Sequence, residues 1–273
     1  MNRGRIRLDQ VLVDRGLAPS RHAARGLILA GLVTVDGRMV DKCGSPTAPS
    51  AELVVKERPR FVSRGGDKLA AALLHFGVLT AGVRALDVGA STGGFVDCLL
   101  QAGAAHVIAL DVGRGQIDMK LRRDPRVTVI EGINARYLEP ILLPYRPDFL
   151  TVDVSFISVT KILTAVVACL ASSYDGLILV KPQFEAGPRL VGKGGVVRDP
   201  KVWSDVLTYV TGFIRESLAL AVRGIVDSGL PGVGGNREFF VWISGGGESG
   251  LSPANLAGEI EHATGAVADP EKE

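Results

Sequence analysis

Four charged residues interrupt or end apolar stretches in the later part of the sequence. Lys68 follows "SRGGD", Asp153 lies in "TVDVSF", Lys181 ends the apolar run of "LVKPQFE", and Glu238 opens "EFFVW". Burying such charges is costly unless they pair. Two ammonium and two carboxylate groups are neutral as a set, and repulsion between the ammoniums favours a neutral amine on one lysine. We therefore expect a neutral Lys181 to take a proton from a hydroxyl group; two unrelated surface salt bridges are the alternative.

A glycine-rich turn indicates a bound small molecule. The stretch "LDVGASTGGF" at residues 86–95 predicts a buried strand, a turn and a helix, which places the turn at the carboxyl edge of a sheet. The G-x-G-x-x-G spacing of dinucleotide sites is absent, because three other residues separate Gly89 from Gly93 and Gly94. Asp111 ends the next predicted strand, where a carboxylate accepts hydrogen bonds from ribose hydroxyls. These features favour a nucleoside without phosphates, commonly S-adenosylmethionine (SAM); a tight turn with no ligand is the alternative.

A second glycine-rich segment, "GPRLVGKGG", matches part of a phosphate-binding loop. Gly187, Gly192 and Lys193 satisfy G-x-x-x-x-G-K, but Gly194 stands where such loops need Ser or Thr for magnesium. The following "GVVRDP" predicts no helix whose amino terminus could face a phosphate. We interpret the segment as a mobile loop at the sheet edge.

Apolar runs and turns alternate after residue 63, which predicts an α/β fold with a mostly parallel sheet between helices. Strands are predicted at residues 84–89, 106–112, 127–131, 148–154 and 176–181. A helix at residues 95–102 should end at Gly103. The last two predicted strands, 222–226 and 238–243, have no helix pattern between them, so we expect an antiparallel pair at the sheet edge.

Positive charge is concentrated at the amino-terminal end, where residues 1–63 contain 11 Lys and Arg against six Asp and Glu. Two short helices are predicted, the second capped by Ser20, followed by a hairpin around Asp36 and Gly37. The pattern "RxRLD…LVxRGL…SRxxA…LIxxGxVxVDG" over residues 5–37 resembles the S-four-like RNA-binding domain of a small-subunit ribosomal protein. The cations expected to meet RNA phosphates are Arg5, Arg7, Arg15, Arg21 and Arg25. An ordinary solvated surface is the alternative.

Composition argues against several classes of protein. The 273 residues are 47% hydrophobic and 22% charged, which is typical of a globular chain of about two domains. No apolar signal sequence is present, and the longest aliphatic run, at 162–171, is too short to span a bilayer, so we expect a cytoplasmic protein with no membrane partner.

The cysteines and histidines predict no metal site. Cys43, Cys98 and Cys169 form no CxxC pair and are interpreted as apolar fillers, and the histidines have no ligand pattern.

Five motifs add a resemblance that spans nearly the whole chain. "SRGGDKL", "DVGASTGGF", "DVSFIS", "LVKPQFE" and "GNREFFVW", with the amino-terminal module, resemble the TlyA (hemolysin-A-like) family of ribosomal RNA 2′-O-methyltransferases, whose catalytic domain is similar to that of FtsJ. This resemblance implies an S-four-like domain at residues 1–58, a linker at 59–63 and a Rossmann-like, seven-stranded methyltransferase domain at 64–273. It implies SAM as methyl donor and methylation of cytidine ribose in 23S ribosomal RNA. The amino-terminal arm and the tail "SPANLAGEIEHA", capped by Ser252, resemble the longer members, which also methylate 16S ribosomal RNA.

The resemblance also implies roles for residues. Lys68, Asp153, Lys181 and Glu238 would form a catalytic tetrad in an enzyme expected to be a monomer. The candidates for cofactor binding, from the turn and the resemblance together, are Asp87, Gly89, Ala90, Ser91, Thr92, Gly93, Gly94, Phe95, Asp111 and Asn134. Methyltransferases often place an acid near adenine where this chain has Asn134, and asparagine can donate as well as accept. A membrane-lytic protein, suggested by the family's historical name, and a non-catalytic RNA-binding protein are the alternative functions.

Overall fold

The computed structural model describes residues 4–57, 59–247 and 249–265. It contains two compact units, one ending at Pro59 and the other beginning at Arg60. Each unit is described by itself. The predicted domain limits at residues 1, 58 and 273 lie outside the described residues.

The described residues of the amino-terminal unit form two helices and five short strands. In chain order these are β1 (Ile6–Arg7), α1 (Leu8–Asp14), α2 (Arg21–Leu29), β2 (Val33–Val35), β3 (Arg38–Met39), β4 (Pro46–Thr47) and β5 (Leu53–Val55). Strands β3, β2 and β5 form one antiparallel sheet, and β1 pairs with β4. The predicted helices and hairpin are confirmed: Ser20 caps α2 by accepting from the Ala23 amide, and Asp36 and Gly37 both have positive φ in the turn.

The carboxy-terminal unit is a seven-stranded sheet with helices. Its elements are α3 (Arg64–Phe76), β6 (Arg84–Val88), α4 (Gly94–Gln101), β7 (His106–Asp111), α5 (Met119–Arg122), β8 (Val127–Glu131), β9 (Phe149–Val152), α6 (Thr160–Val167), β10 (Tyr174–Val180), α7 (Pro182–Glu185), α8 (Pro200–Gly212), β11 (Ala221–Asp227), β12 (Phe239–Gly245) and α9 (Pro253–Thr264). The strand order is β11-β12-β10-β9-β6-β7-β8. All seven predicted strands are found, with ends that differ by at most two residues. The predicted α/β fold is confirmed.

One strand of the large sheet runs against its neighbours. Strand β12 pairs antiparallel with both β10 and β11, whereas β10-β9, β9-β6, β6-β7 and β7-β8 are parallel pairs. The predicted antiparallel pair is therefore present, with β11 at the edge and β12 inserted beside β10. As a result, the amino end of β12 lies at the same sheet edge as the carboxyl ends of β9 and β10.

Two hydrophobic clusters fill the faces of this sheet. Successive strand residues belong to opposite clusters, as in Leu86 and Ala85 or Leu150 and Phe149, which follows from the two-residue period of a strand. One cluster includes residues of α6, α8 and α9, and the other includes residues of α3, α4 and α5. The parallel core strands read as nearly continuous apolar runs because both of their faces are buried.

Smaller predictions have mixed outcomes. Cys98 and Cys169 are buried as expected of apolar fillers, whereas Cys43 is only half-buried at the margin of the amino-terminal core. Ser252 caps α9 by accepting from the Asn255 amide, as predicted. The "GPRLVGKGG" segment forms no helix; the next one, α8, begins later, at Pro200.

Candidate active site

The four predicted tetrad residues line one cavity of about 370 Å³ at the carboxyl edge of the large sheet. They form two ion pairs: Lys68 Nζ lies 2.6 Å from Glu238 Oε2, and Lys181 Nζ lies 2.6 Å from Asp153 Oδ1. The Lys68–Glu238 pair is largely withdrawn from solvent, with side chains 11% and 4% exposed, whereas in the second pair Lys181 is 11% and Asp153 26% exposed. The two pairs are separate, but they face the same space and do not lie on unrelated surfaces.

The fold explains how residues so distant in sequence meet. Lys68 lies in the second turn of α3, Asp153 follows β9 and Lys181 follows β10. Glu238 precedes β12, and because β12 is reversed, an acid at its start reaches the residues that follow β9 and β10. Buried ion pairs of this kind persist only when each charge keeps its partner, since removing one partner costs about 3–5 kcal/mol.

Both oxygens of the Glu238 carboxylate accept a hydrogen bond. Oε2 accepts from Lys68, and Oε1 accepts from Gln183 Nε2 at 3.4 Å. A Cβ at Gly232 would lie 2.0 Å from Oε1, so a larger residue there would force the carboxylate to move. Gly232 and Val233 also line the cavity.

Lys181 has contacts of two kinds. Its ammonium donates a hydrogen bond to Ser155 Oγ at 3.0 Å. The 2.6 Å approach to Asp153 Oδ1 is an ion pair outside hydrogen-bond geometry. Asp153 therefore supplies opposite charge, and Ser155 supplies a directed acceptor.

The predicted glycine turn is tight and packs closely on its neighbours. Gly89 has φ of +87°, and a Cβ there would lie 2.4 Å from the Asp153 carbonyl oxygen. A Cβ at Gly94 would lie 2.2 Å from Ser63 Oγ, and Gly93, with φ of +96°, packs against Leu121. A side chain at any of these three glycines would therefore collide with a neighbouring residue. Of the predicted cofactor residues, the first cavity is lined by Asp87, Gly89, Ala90, Ser91, Thr92, Gly94 and Phe95.

Asp111 and Asn134 support backbone turns with their side chains. The two oxygens of Asp111 accept from the amides of Ser91 and Gly113, each at 2.7 Å. Asn134 Oδ1 accepts from the Arg136 amide at 3.0 Å and caps a single 3₁₀ turn. Each Asp111 oxygen retains a second lone pair, and the Asn134 amide retains its two N–H donors.

Both of these residues line a second cavity, of about 550 Å³. Gly89, Ser91 and Asp153 line both cavities, so the two adjoin. Together they form a two-lobed space with the glycine turn between the lobes. A space of this size and shape fits one small molecule with an extended chain.

Asp87 is a buried acid at the end of β6 with one oxygen open. Oδ1 accepts from Thr151 Oγ1 at 2.7 Å, whereas Oδ2 has no hydrogen-bond partner among the described residues. Burial above all, helped by the charges of Asp153 and Asp111, raises the pKa of Asp87 to about 8, although the Thr151 hydrogen bond opposes the shift. A neutral or charge-compensated state of Asp87 is thus favoured in the fold.

Phe156 was not identified from the sequence. It follows the "DVS" segment with φ of +63°, a strained backbone for a phenylalanine, and its side chain is 91% exposed. It lines the second cavity, and its ring centroid lies 5.1 Å from that of Phe184. The sequence did contain a signal: in both "DVSF" and "KPQF", a phenylalanine follows soon after the charged residue at the end of a strand. Such an aromatic surface is suited to stacking on a planar ligand.

Two of the five predicted phosphate-binding arginines contact a buried acid of their own unit. Asp9, fully buried, accepts from Arg7 at 2.9 Å and from Arg21 at 3.2 Å. The hydrogen bond from Arg7 in particular lowers the pKa of Asp9 to about 2. These two guanidiniums are therefore held in fixed positions.

Arg15 is also engaged within its unit, because it donates to the carbonyl oxygens of Pro49 and Ala51. Arg5 and Arg25 are exposed and have no ion pair among the described residues. The five predicted cations therefore differ: Arg7, Arg15 and Arg21 contact other groups of the unit, whereas Arg5 and Arg25 have no ion pair among the described residues.

The buried acid generates a stability prediction. Since the pKa of Asp87 is about 8 in the fold and 3.8 as the ordinary value, the unfolded chain releases this proton first as pH rises. Asp87 therefore lowers stability progressively between about pH 4 and pH 8. Asp87→Asn should raise the unfolding temperature relative to wild type, by a margin that grows from pH 4 to pH 8. Thermal unfolding at several pH values measures this margin.

The matched control is Asp205→Asn, an exposed acid on α8. Its unfolding temperature should follow wild type across the range. A margin for Asp87→Asn that stays constant or shrinks with rising pH would contradict the assigned burial cost.

Comparisons with known proteins agree with this geometry. Residues 61–244 match the model of FtsJ-like methyltransferases, and residues 6–46 match the S4 domain. The chain is 44% identical over 261 residues to the 16S/23S rRNA (cytidine-2′-O)-methyltransferase TlyA of Mycobacterium tuberculosis, covering 95% of this chain and 97% of the relative. It is 38% identical to Hemolysin A of Brachyspira hyodysenteriae, covering 86% and 98%.

A solved structure is similar over the same span. It is a Streptococcus thermophilus protein provisionally named a hemolysin, with 38% identity, a TM-score of 0.72, and coverage of 95% of this chain and 96% of that one. The family matches and the identity agree, so this chain belongs to the TlyA family of FtsJ-like methyltransferases, with an S4 domain at its amino-terminal end.

Proposed function

We propose that this chain is a cytoplasmic, monomeric enzyme that transfers a methyl group from SAM to the 2′-oxygen of cytidine ribose in 23S and 16S ribosomal RNA. The observation that carries the proposal is the pair of lysine–carboxylate ion pairs around one cavity beside the glycine turn. The substrate comes from the Mycobacterium tuberculosis relative, whose name states it. Family membership supports the reaction type, and the S4 domain supports RNA as the partner.

The residues of the two-lobed space fit SAM. Asp87 offers an unpartnered buried oxygen to the ammonium of the methionine part. Asp111 retains lone pairs for ribose hydroxyls, and Asn134 retains N–H donors for the adenine. When bound, SAM supplies an electrophilic methyl group on a positively charged sulfur.

Lys181 is the proposed base. Its neutral amine would take the proton of the 2′-hydroxyl, and the oxygen would use the electron pair left to it to form the new bond to the methyl carbon, while the carbon–sulfur bond breaks and its electron pair stays on sulfur. Asp153 compensates the ammonium that results. Lys68 and Glu238, which line the same cavity, hold charge and orientation. Alignment of the reactants supplies much of the rate, up to about 7–11 kcal/mol. These proton and group transfers require no metal ion.

Replacing the base tests this assignment. Lys181→Met keeps the chain length and removes the amine, so methyl transfer to ribosomal subunits should fall about 10²–10⁴-fold. The SAM dissociation constant, measured by calorimetry, should stay within about threefold of wild type. Lys161→Met, at an exposed lysine of α6, is the matched control. A Lys181→Met enzyme with wild-type turnover would exclude Lys181 as the base.

The amino-terminal unit is proposed to bind RNA phosphates through its exposed cations. The double variant Arg5→Gln, Arg25→Gln should bind ribosomal RNA more weakly. The slope of log affinity against log salt should also decrease in magnitude by about 0.7–0.9 for each phosphate that the variant no longer neutralises. Filter binding over a salt series measures both. The control is Arg126→Gln, just before β8 in the carboxy-terminal unit; an affinity and slope equal to wild type in the double variant would refute the role.

Phe156 is proposed to stack on the adenine of SAM, because it lines the second cavity together with Asp111 and Asn134. Removing a stacking ring costs about 1–3 kcal/mol per base, so Phe156→Ala should raise the SAM dissociation constant about 5- to 150-fold. Phe156→Tyr should restore it. Calorimetry with SAM, together with steady-state kinetics at varied RNA, provides the measurement. If Phe156→Ala raises the KM for RNA and leaves SAM binding unchanged, the ring contacts the RNA instead.

The hemolysin names of two relatives describe those proteins. In the part of this chain that the structure describes, no helix is long and apolar enough to cross a membrane. No contact among the described residues favours lysis over methyl transfer, whereas the paired charges around the cavity favour methyl transfer.

A further inference from the structure

The Lys181 ammonium is held by one charge and one directed acceptor. Asp153 Oδ1 attracts it from 2.6 Å without hydrogen-bond geometry, whereas Ser155 Oγ accepts a hydrogen bond at 3.0 Å. Coulombic attraction depends weakly on direction, but a hydrogen bond fixes one N–H vector. Of the contacts among the described residues, the Ser155 bond is therefore the one that sets how the nitrogen is rotated.

We propose that Ser155 is a positioning residue that aims the lone pair of Lys181 at the reacting hydroxyl; this rests on the proposed function. A neutral amine has two N–H donors and one lone pair in its three free tetrahedral directions. One N–H points to Ser155, and the negative charge of Asp153 draws the second. The lone pair occupies the remaining direction. Rotation about the Cε–Nζ bond would turn the lone pair away from the reacting hydroxyl, and it would break the hydrogen bond to Ser155.

The chain places Ser155 where this is possible. It follows Asp153 by two residues, so both come from the segment after β9, while Lys181 follows the neighbouring strand β10. The Lys68–Glu238 pair has a similar neighbour, since Gln183 follows Lys181 by two residues and donates to Glu238. In both cases, a neutral side chain two positions after the charged residue at one strand end bonds to a charged residue of the next strand in the sheet.

Ser155 is exposed, so its hydroxyl can be removed without disturbing the hydrophobic core. Ser155→Ala should lower kcat about 10- to 100-fold, the range expected for a hydrogen bond to a charged group. The KM for RNA and the SAM dissociation constant should stay within about threefold of wild type. Ser155→Thr keeps the hydroxyl and should recover most of kcat.

The matched control is Ser173→Ala, the same chemical change at an exposed serine. Ser173 lies just before β10, whereas Lys181 lies just after it, so the two residues are at opposite ends of this strand. It should leave kcat unchanged. A wild-type kcat in Ser155→Ala would overturn the proposal. An effect confined to KM, or a Ser155→Thr variant as impaired as Ser155→Ala, would overturn it as well.

A measurement without substrates separates this proposal from the proposed function. In ligand-free protein labelled with ¹⁵N-lysine, the Lys181 ammonium is assigned by its absence in Lys181→Met. Its proton exchange with water should be about tenfold faster in Ser155→Ala than in wild type or Ser155→Thr, because the bond that shields one proton is removed. Unchanged exchange overturns the positioning role. A Lys181→Met enzyme with wild-type turnover would overturn the role of Lys181 as base, and a wild-type enzyme that transfers no methyl group to ribosomal subunits would overturn the proposed function; the exchange result is independent of both.

Discussion

Charge compensation at the edge of the sheet is the constraint on which the rest of this structure depends. Two ammonium groups lie around a cavity that excludes much of the solvent, and each remains there because a carboxylate from another part of the chain lies within 2.6 Å. Removing either partner would leave an uncompensated charge at a cost of about 3–5 kcal/mol. The reversed strand β12 is what makes compensation possible for Lys68, since it brings Glu238 to the edge where the parallel strands end.

The glycine turn obeys a second constraint, which is steric. Strands β6 and β9 approach so closely that a single Cβ at Gly89 would collide with the Asp153 backbone. The same closeness places the turn between the two cavities and brings Asp87, Asp111 and Asp153 near one another. Burial, helped by the charges of Asp153 and Asp111, raises the pKa of Asp87, and Asp87 Oδ2 has no hydrogen-bond partner among the described residues, so the fold compensates this group of acids only in part. A positively charged ligand would complete this compensation.

Much of this was predictable from sequence, because it depends on local rules. Apolar runs of strand length indicated the seven strands, and the rule that ligands lie beyond the carboxyl ends of parallel strands selected Asp153 and Lys181. The pairing partners were not predictable, because they depend on tertiary distances between segments far apart in sequence. Ser155 and Phe156 were missed because serine and phenylalanine beside a strand end are compatible with any loop. Asp9, which forms ion pairs with Arg7 and Arg21, was missed because nothing in the pattern of its helix indicates that an acid at this position is buried.

Mapping of ribose methylation in ribosomal RNA tests the central claim most directly. RNA from cells that contain this chain is compared, nucleotide by nucleotide, with RNA from cells that lack it and from cells complemented with Lys68→Met. The account predicts a 2′-O-methylated cytidine that is present with the wild-type chain and absent in the other two. Identical methylation maps in all three would contradict it.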